Sequence, residues 1–360
     1  MAARDIEEVV RFDAIEGWPA PEAQEQWFGD FQAEQTLLGA YRGGRMHHAW
    51  LIGGPKGIGK ATLAYRFARF ALAYPDPKSE MVGRAADLSV PVEDPAFRKV
   101  AARAHPNLLV LERPYDEEKK RYRTELTVPE IRRTVSFFGS TAAEAGLRIA
   151  IVDPADDMNA NAANALLKVL EEPPARSLFL IIGHAPGRLL PTIRSRCRRL
   201  ELSPLPAEKI FSAIGVHGAA NAEPADLGLA AALAEGSLRR AILLLEEGGI
   251  EQYRQLAALL GRLPDIDVDA MHRFADSAGS RSADDNYLGF LELIRGWLVR
   301  RIRREAEPEG GLPAAGVALE RWAEVWEKVN NSSDLANALN LDRKQVVLSI
   351  FMTLARATRM

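Results

Sequence analysis

Gly54, Gly57, Gly59 and Lys60 fall in the order G-x-x-x-x-G-K inside GGPKGIGKAT, residues 53–62. Glycines at this spacing let backbone N–H groups close around phosphate oxygens, and a helix starting at the lysine adds its dipole. The lysine reaches the β/γ-phosphates, and a Ser or Thr in the next position binds Mg²⁺. Here the next residue is Ala61. Thr62 offers a hydroxyl one place later, where a helix has turned the side chain by roughly 100°. The acid that helps hold the metal in such sites is matched by Asp153, at the end of IAIVD (149–153). A water-activating Glu often follows that acid, but Pro154 stands there, with no group to take a proton. Asp156 and Asp157 come after a turn, and Asp157 reads as the N-cap of the next helix. The pattern predicts a cradle compatible with the phosphates of ATP or ADP. It lacks one part serving the metal and one serving the water, so turnover by this chain alone is not expected. Two other readings stay open: a glycine turn that binds nothing, and an autonomous ATPase in which Thr62 or Asp156 replaces the missing groups.

A strand must lead into this loop and a helix must leave it. HAWLI (48–52) is a short apolar run fit for a buried strand, and ATLAYRFARFALA (61–73) is a helix with an apolar stripe. Before them, residues 28–45 have helical periodicity, with Phe31, Leu37, Leu38 and Tyr41 sharing a face. Residues 75–105, rich in Pro and Asp, read as a loop insertion with one short helix. A strand at 107–113, a solvated turn at 116–123 and a helix at 127–140 with Pro129 in its first turn follow. LRIAIVD (147–153) and SLFLIIG (177–183) are near-continuous apolar runs, as buried parallel strands are. Between them, residues 157–172 form a helix stopped by Pro173 and Pro174. PTIRSRCRRLEL (191–202) leads through a basic turn into a last strand. The alternation predicts an α/β fold, a parallel sheet with helices on both faces.

After SPLP (203–206) the strand signals end. Helical pattern continues to the last residue, broken at 263–268, 277–285 and 308–313. A chain of 360 residues exceeds one ordinary core. Three domains are therefore expected: 1–204, 205–262 and 263–360.

Composition narrows the function classes. The net charge of −3 excludes a generic polyanion binder, so nucleic-acid contact would need a local basic patch or partner subunits. A single cysteine, Cys197, excludes an internal disulfide framework and a multi-cysteine zinc site, and fits the reducing cytoplasm. No apolar run reaches the ~20 residues that span a bilayer. MAARDIEEVVRFDAIEG at the start is acidic and is not read as a signal peptide.

Arg194, Arg196, Arg198 and Arg199 crowd the 191–202 segment. Charge clustering alone describes a solvated basic turn. A planar, permanently charged guanidinium is also the usual group projected into a neighbour's phosphate site. Three stretches, HHAWLIGGPKGIGKATLA (47–64), RIAIVDPADDMNANAANALLKVLEEPP (148–174) and PTIRSRCRRLEL, together resemble the clamp-loader subunits of bacterial DNA polymerase III, which are AAA+ proteins. Close similarity spans about residues 28–246, and NLDRKQVVLSIFMTLAR (340–356) fits the family collar more loosely. The resemblance implies an AAA+ nucleotide-binding-like domain, a small helical lid (205–262) and an all-α collar (263–360). Ala61 and Pro154 set this chain apart from the motor (gamma/tau) members, which keep the hydroxyl and an Asp-Glu pair. It further implies that Arg196, in Ser195-Arg196-Cys197, acts in trans on ATP of an adjacent motor subunit. Arg239, in GSLRRAI (236–242), matches the sensor-2 arginine of the family. The implied partners are motor subunits, a delta subunit, the sliding clamp and primer-template DNA through the complex, with no membrane. Many members carry a four-cysteine zinc module, but residues 74–106 contain no Cys, so zinc is not expected. Gly183 and His184 stand where motor subunits have a polar sensor, and His184 is given no role.

In the C-terminal part, Leu288, Leu291, Ile294, Leu298 and Ile302 recur at helical spacing beside Trp297. Arg295, Arg300, Arg301, Arg303 and Arg304 occupy the opposite side, either as a wet basic face or as a contact for DNA.

Overall fold

The structure is a computed structural model that describes residues 14, 15, 17–116, 118, 120–139, 144–217, 222–246, 248–280, 284–308, 317–339 and 341–359. The leader reading at residues 1–17 thus lies almost wholly outside the described residues, as does most of the break at 308–313. The chain divides into two compact units, Met1–Leu205 and Pro206–Met360.

The first unit is built on one five-stranded parallel sheet. In chain order its elements are α1 (Phe31–Arg42), β1 (Ala49–Gly53), α2 (Lys60–Ala73), α3 (Glu80–Arg84), α4 (Pro95–Ala101) and β2 (Leu108–Leu111). Then come β3 (Tyr115–Asp116), β4 (Arg121–Tyr122), α5 (Val128–Gly139), β5 (Arg148–Val152), α6 (Ala160–Glu171), β6 (Ser177–Ile182), α7 (Pro191–Arg196) and β7 (Arg198–Glu201). The strand order is β2-β5-β6-β1-β7, while β3 and β4 form a separate antiparallel pair. Strands β1, β5 and β6 are buried along their whole length, which is why they read as unbroken apolar runs. Their side chains alternate between two cores. Trp50, Ile52, Ile149, Ile151, Leu178 and Leu180 face α1, α2 and α4, whereas Ala49, Leu51, Ala150, Val152, Phe179 and Ile181 face α5, α6 and α7.

Three local expectations change. The 75–105 insertion holds two short helices, because Ser79 caps α3, and Asp94 with Pro95 starts α4. The basic turn before the last strand is a helix, α7, with Pro191 in its first turn and Ile193 wholly buried. Asp157 is not the N-cap of α6: the Asn159 side chain accepts from the Ala162 N–H instead.

Among the described residues the second unit is all helical: α8 (Ala207–His217), α9 (Pro224–Leu233), α10 (Leu238–Glu246), α11 (Gly249–Leu260), α12 (Val268–Ala278), α13 (Asp284–Arg303), α14 (Leu319–Leu339) and α15 (Arg343–Thr358). One apolar core runs from Leu229 to Ala357, crossing residue 263 without a break. In α13, Leu291, Ile294, Leu298 and Trp297 are buried as the spacing requires, but Leu288 is exposed, and Tyr287, Phe290 and Leu293 take the remaining core positions. The basic side of α13 is mostly spent internally. Arg295 donates to Asn330 and Ser333, and Arg300 and Arg301 share Glu307. No helix among the described residues is long and apolar enough to cross a membrane.

Candidate phosphate cradle and arginine corner

Because the sheet is parallel, the loops after β1, β5 and β6 emerge at one end. The loop after β1 is the glycine cradle. Gly54, Gly57 and Gly59 all have positive φ, and a Cβ on Gly54 would lie 2.8 Å from the Leu202 carbonyl oxygen and from Ile58 Cδ1. Only glycine fits that turn and that approach. Lys60 opens α2 and is 3% exposed. Its ammonium donates to the Gly54 and Pro55 carbonyls at 2.7 and 2.5 Å, so the cation lies inside its own loop. Burial pulls its pKa down to about 8, opposed by the charges of Asp153, Asp156 and Glu201. Thr62, half-buried, follows one helical step past Ala61.

The acids after β5 have separate tasks. Asp153 follows Val152 directly, and its N–H donates to the Leu111 carbonyl. Asp156 accepts the backbone N–H of His184 and of Ala185 at 2.5 and 2.9 Å, one on each carboxylate oxygen. It ties the loop after β6 to the loop after β5, so neither oxygen is idle for activating water. Asp157 pairs with Arg113 at 3.0 Å, although burial still holds its carboxyl above the ordinary range. His184 enters this corner through its backbone.

Three residues that sequence reasoning did not single out belong to the site. Glu201 pairs with Gly53 across β1 and β7, and its carboxylate fills the space a Gly53 side chain would need. Trp27 packs its ring against Gly29 and lies 3.2 Å from a Cβ built on Gly59, over the last cradle glycine. Its segment is fixed by α2, where Arg66 donates to the Glu25 carbonyl and Arg69 to the Gln24 carbonyl, and by Arg103 after α4, which pairs with fully buried Glu22. The third is Glu171, the last residue of α6.

Arg196 is the last residue of α7, just before β7. β7 runs parallel to β1, with Trp50 opposite Arg198. Arg196 therefore sits at the end of the sheet where strands begin, and the cradle at the end where they finish. Four residues of strand separate the two ends by roughly 13 Å. Its Nη1 donates to the Thr192 carbonyl at 3.1 Å, and its Nη2 pairs with Glu171 at 2.8 Å. Ser195 bonds only within α7, to Thr192. Cys197 is buried, and burial pushes its thiol up to about 12, making it a packing residue and not a nucleophile. Arg198 stacks over Trp50. Arg239 lies half-buried on α10 of the second unit. Among the described residues no group of three or more His, Cys, Asp or Glu could hold a metal ion.

Comparison with known proteins gives these features a lineage. Residues 30–206 match the family described as DNA polymerase III, delta subunit. The DNA polymerase III subunit delta' of Pseudomonas aeruginosa is 40% identical over 179 residues, covering 49% of this chain and 50% of that protein. The Escherichia coli delta' subunit is 31% identical over 174 residues, 48% of each. The tau subunit of Salmonella typhimurium is 28% identical over 269 residues, 71% of this chain and 39% of that protein. The chain thus spans about half the length of the delta' relatives it matches. Over residues 30–206 this chain matches the DNA polymerase III delta-subunit family, and in that α/β unit it is similar to the delta-prime members.

Proposed function

We propose that this chain is a clamp-loader subunit of the delta-prime type, which turns over no ATP itself and supplies Arg196 to the ATP of a neighbouring motor subunit. The placement of Arg196 carries this reading. It stands at the sheet end opposite its own cradle, farther than an arginine reaches, with one of its five N–H donors spent on a carbonyl and its charge paired to Glu171. A cation so placed serves a site on another chain. A guanidinium supplied in trans neutralises charge developing on the transferred phosphoryl group. Gamma and tau subunits among the relatives support the motor partner. A delta subunit, the sliding clamp and primer-template DNA complete the proposed assembly, with the helices of 205–262 as lid and those of 263–360 as collar.

The cradle is suited to phosphate. Gly54, Gly57 and Gly59 would surround the phosphates of ATP or ADP, and Lys60 would exchange two carbonyl partners for phosphate oxygens. Arg239 is the proposed γ-phosphate sensor of the lid. Ala61 contributes no metal ligand, and the acid nearest to a water-activating position, Asp156, is committed to two backbone N–H groups.

The test is Arg196→Ala in the reconstituted complex. Assembly is expected to persist while clamp- and DNA-stimulated ATPase falls at the site served. Wild-type ATPase and clamp loading in that variant would overturn the reading.

A further inference from the structure

We infer that Glu171 is a positioning residue for Arg196, holding its guanidinium in the orientation it presents to a neighbouring subunit. The inference deepens the function proposed above and rests on it.

Both ends of the pair are anchored in one core. Glu171 follows Leu170, and Arg196 lies between Ile193 and Cys197; Leu170, Ile193 and Cys197 are buried together beneath the sheet. The backbones under the two charges are therefore fixed, and only side-chain freedom separates a wandering arginine from an aimed one. That freedom is large for arginine, and a bound anion must suppress it. Two contacts suppress it in advance. The Thr192 carbonyl, four residues earlier in α7, takes one arm of the fork, and Glu171 takes the other at 2.8 Å. One hydrogen bond and one ion pair together restrict where the guanidinium rests, as preorganisation of a charged donor requires.

The contact orients the arginine without locking it. A bidentate carboxylate would consume the fork. Here Glu171 lies against Nη2 as an ion pair and not as a two-pronged hydrogen bond, leaving Nε and further N–H groups for another acceptor. The side chains are 35% and 50% exposed, so solvent screens their attraction, and the guanidinium is not trapped by its partner. Motion of α7 is restricted further back, where Asp156 holds the His184–Ala185 segment that leads into it.

The experiment uses the chain reconstituted with its motor and delta partners and measures steady-state ATPase against ATP concentration with clamp and primed DNA. Glu171→Ala is expected to lower kcat about three- to fivefold with the KM for ATP unchanged. Glu171→Gln, which keeps an acceptor oxygen without the charge, should fall between. In an Arg196→Ala background neither change should have any further effect, because the group being aimed is gone. An unchanged or raised kcat in Glu171→Ala would overturn the inference while leaving the trans-acting arginine intact. An equal loss in the Arg196→Ala background would overturn it too, showing that Glu171 acts by another route. If Arg196→Ala itself leaves ATPase at the wild-type level, the underlying function fails and takes this inference with it.

Discussion

Lys60 and Arg196 are cations of one α/β unit placed at opposite ends of the same sheet, and they are solvated in opposite ways. Lys60 is buried, bonded to two carbonyls of its own loop, and its pKa is drawn down to about 8. Arg196 is partly exposed, hydrogen-bonded to one carbonyl and ion-paired with one carboxylate, with most of its fork free. A lysine can give up its charge when burial demands it, whereas an arginine keeps its charge in any setting. The inward site can therefore persist as a folded loop without doing chemistry. The outward one has little reason to be held in place unless something binds it.

That contrast can be broken or sharpened by experiment. The largest expected effect is at Arg196: its removal should slow the ATP site served by about 10³-fold, measured by single-turnover hydrolysis in the complex. Arg196→Lys should recover little, since an ammonium cannot reproduce the planar fork. Next comes the pH dependence of the cradle. An anion needs the charged form of Lys60, and that form is lost as pH rises through about 8. Pyrophosphate affinity, measured by calorimetry and read as the difference from a Lys60→Met variant that carries the probe's own titration, should lose the Lys60 contribution as pH rises through about 8. Asp156→Ala strands two backbone N–H groups and should cost about 2–3 kcal/mol in denaturant unfolding. The smallest effect should be that of Lys60→Ala on complex ATPase, below about twofold, where the same change in a motor P-loop removes a phosphate contact that catalysis needs. A collapse equal to the motor mutant's would show that this cradle turns over and would dissolve the contrast.

Much of the first unit could be read from residues alone, for a physical reason. Strands β1, β5 and β6 are covered on both faces, and that environment writes itself into sequence as Leu-Ile-Val-Phe runs. The cradle glycines were legible because positive φ and close approach leave no other residue type. Contacts made only in three dimensions were not legible. Nothing local marks Glu171 as the partner of Arg196, or Trp27 as the cover of Gly59, because each pair lies 25 or more residues apart. Charge was the least reliable guide. The arginines of α13 looked like a face for solvent or DNA, yet Arg295, Arg300 and Arg301 are bonded within the helical unit. Asp157 had the right residue type for a cap, and Asn159, two positions on, had the right backbone.

The arginine run has one more consequence, at the rim of the sheet. Among the described residues β7 pairs only with β1, so its other side is an open rim of the sheet. Arg198, Arg199 and Glu201 stand exposed along it, and charged side chains on an open rim discourage foreign strands from docking and aggregating there. The residues that follow Arg196 thus guard this rim against strand-to-strand sticking between copies of the chain.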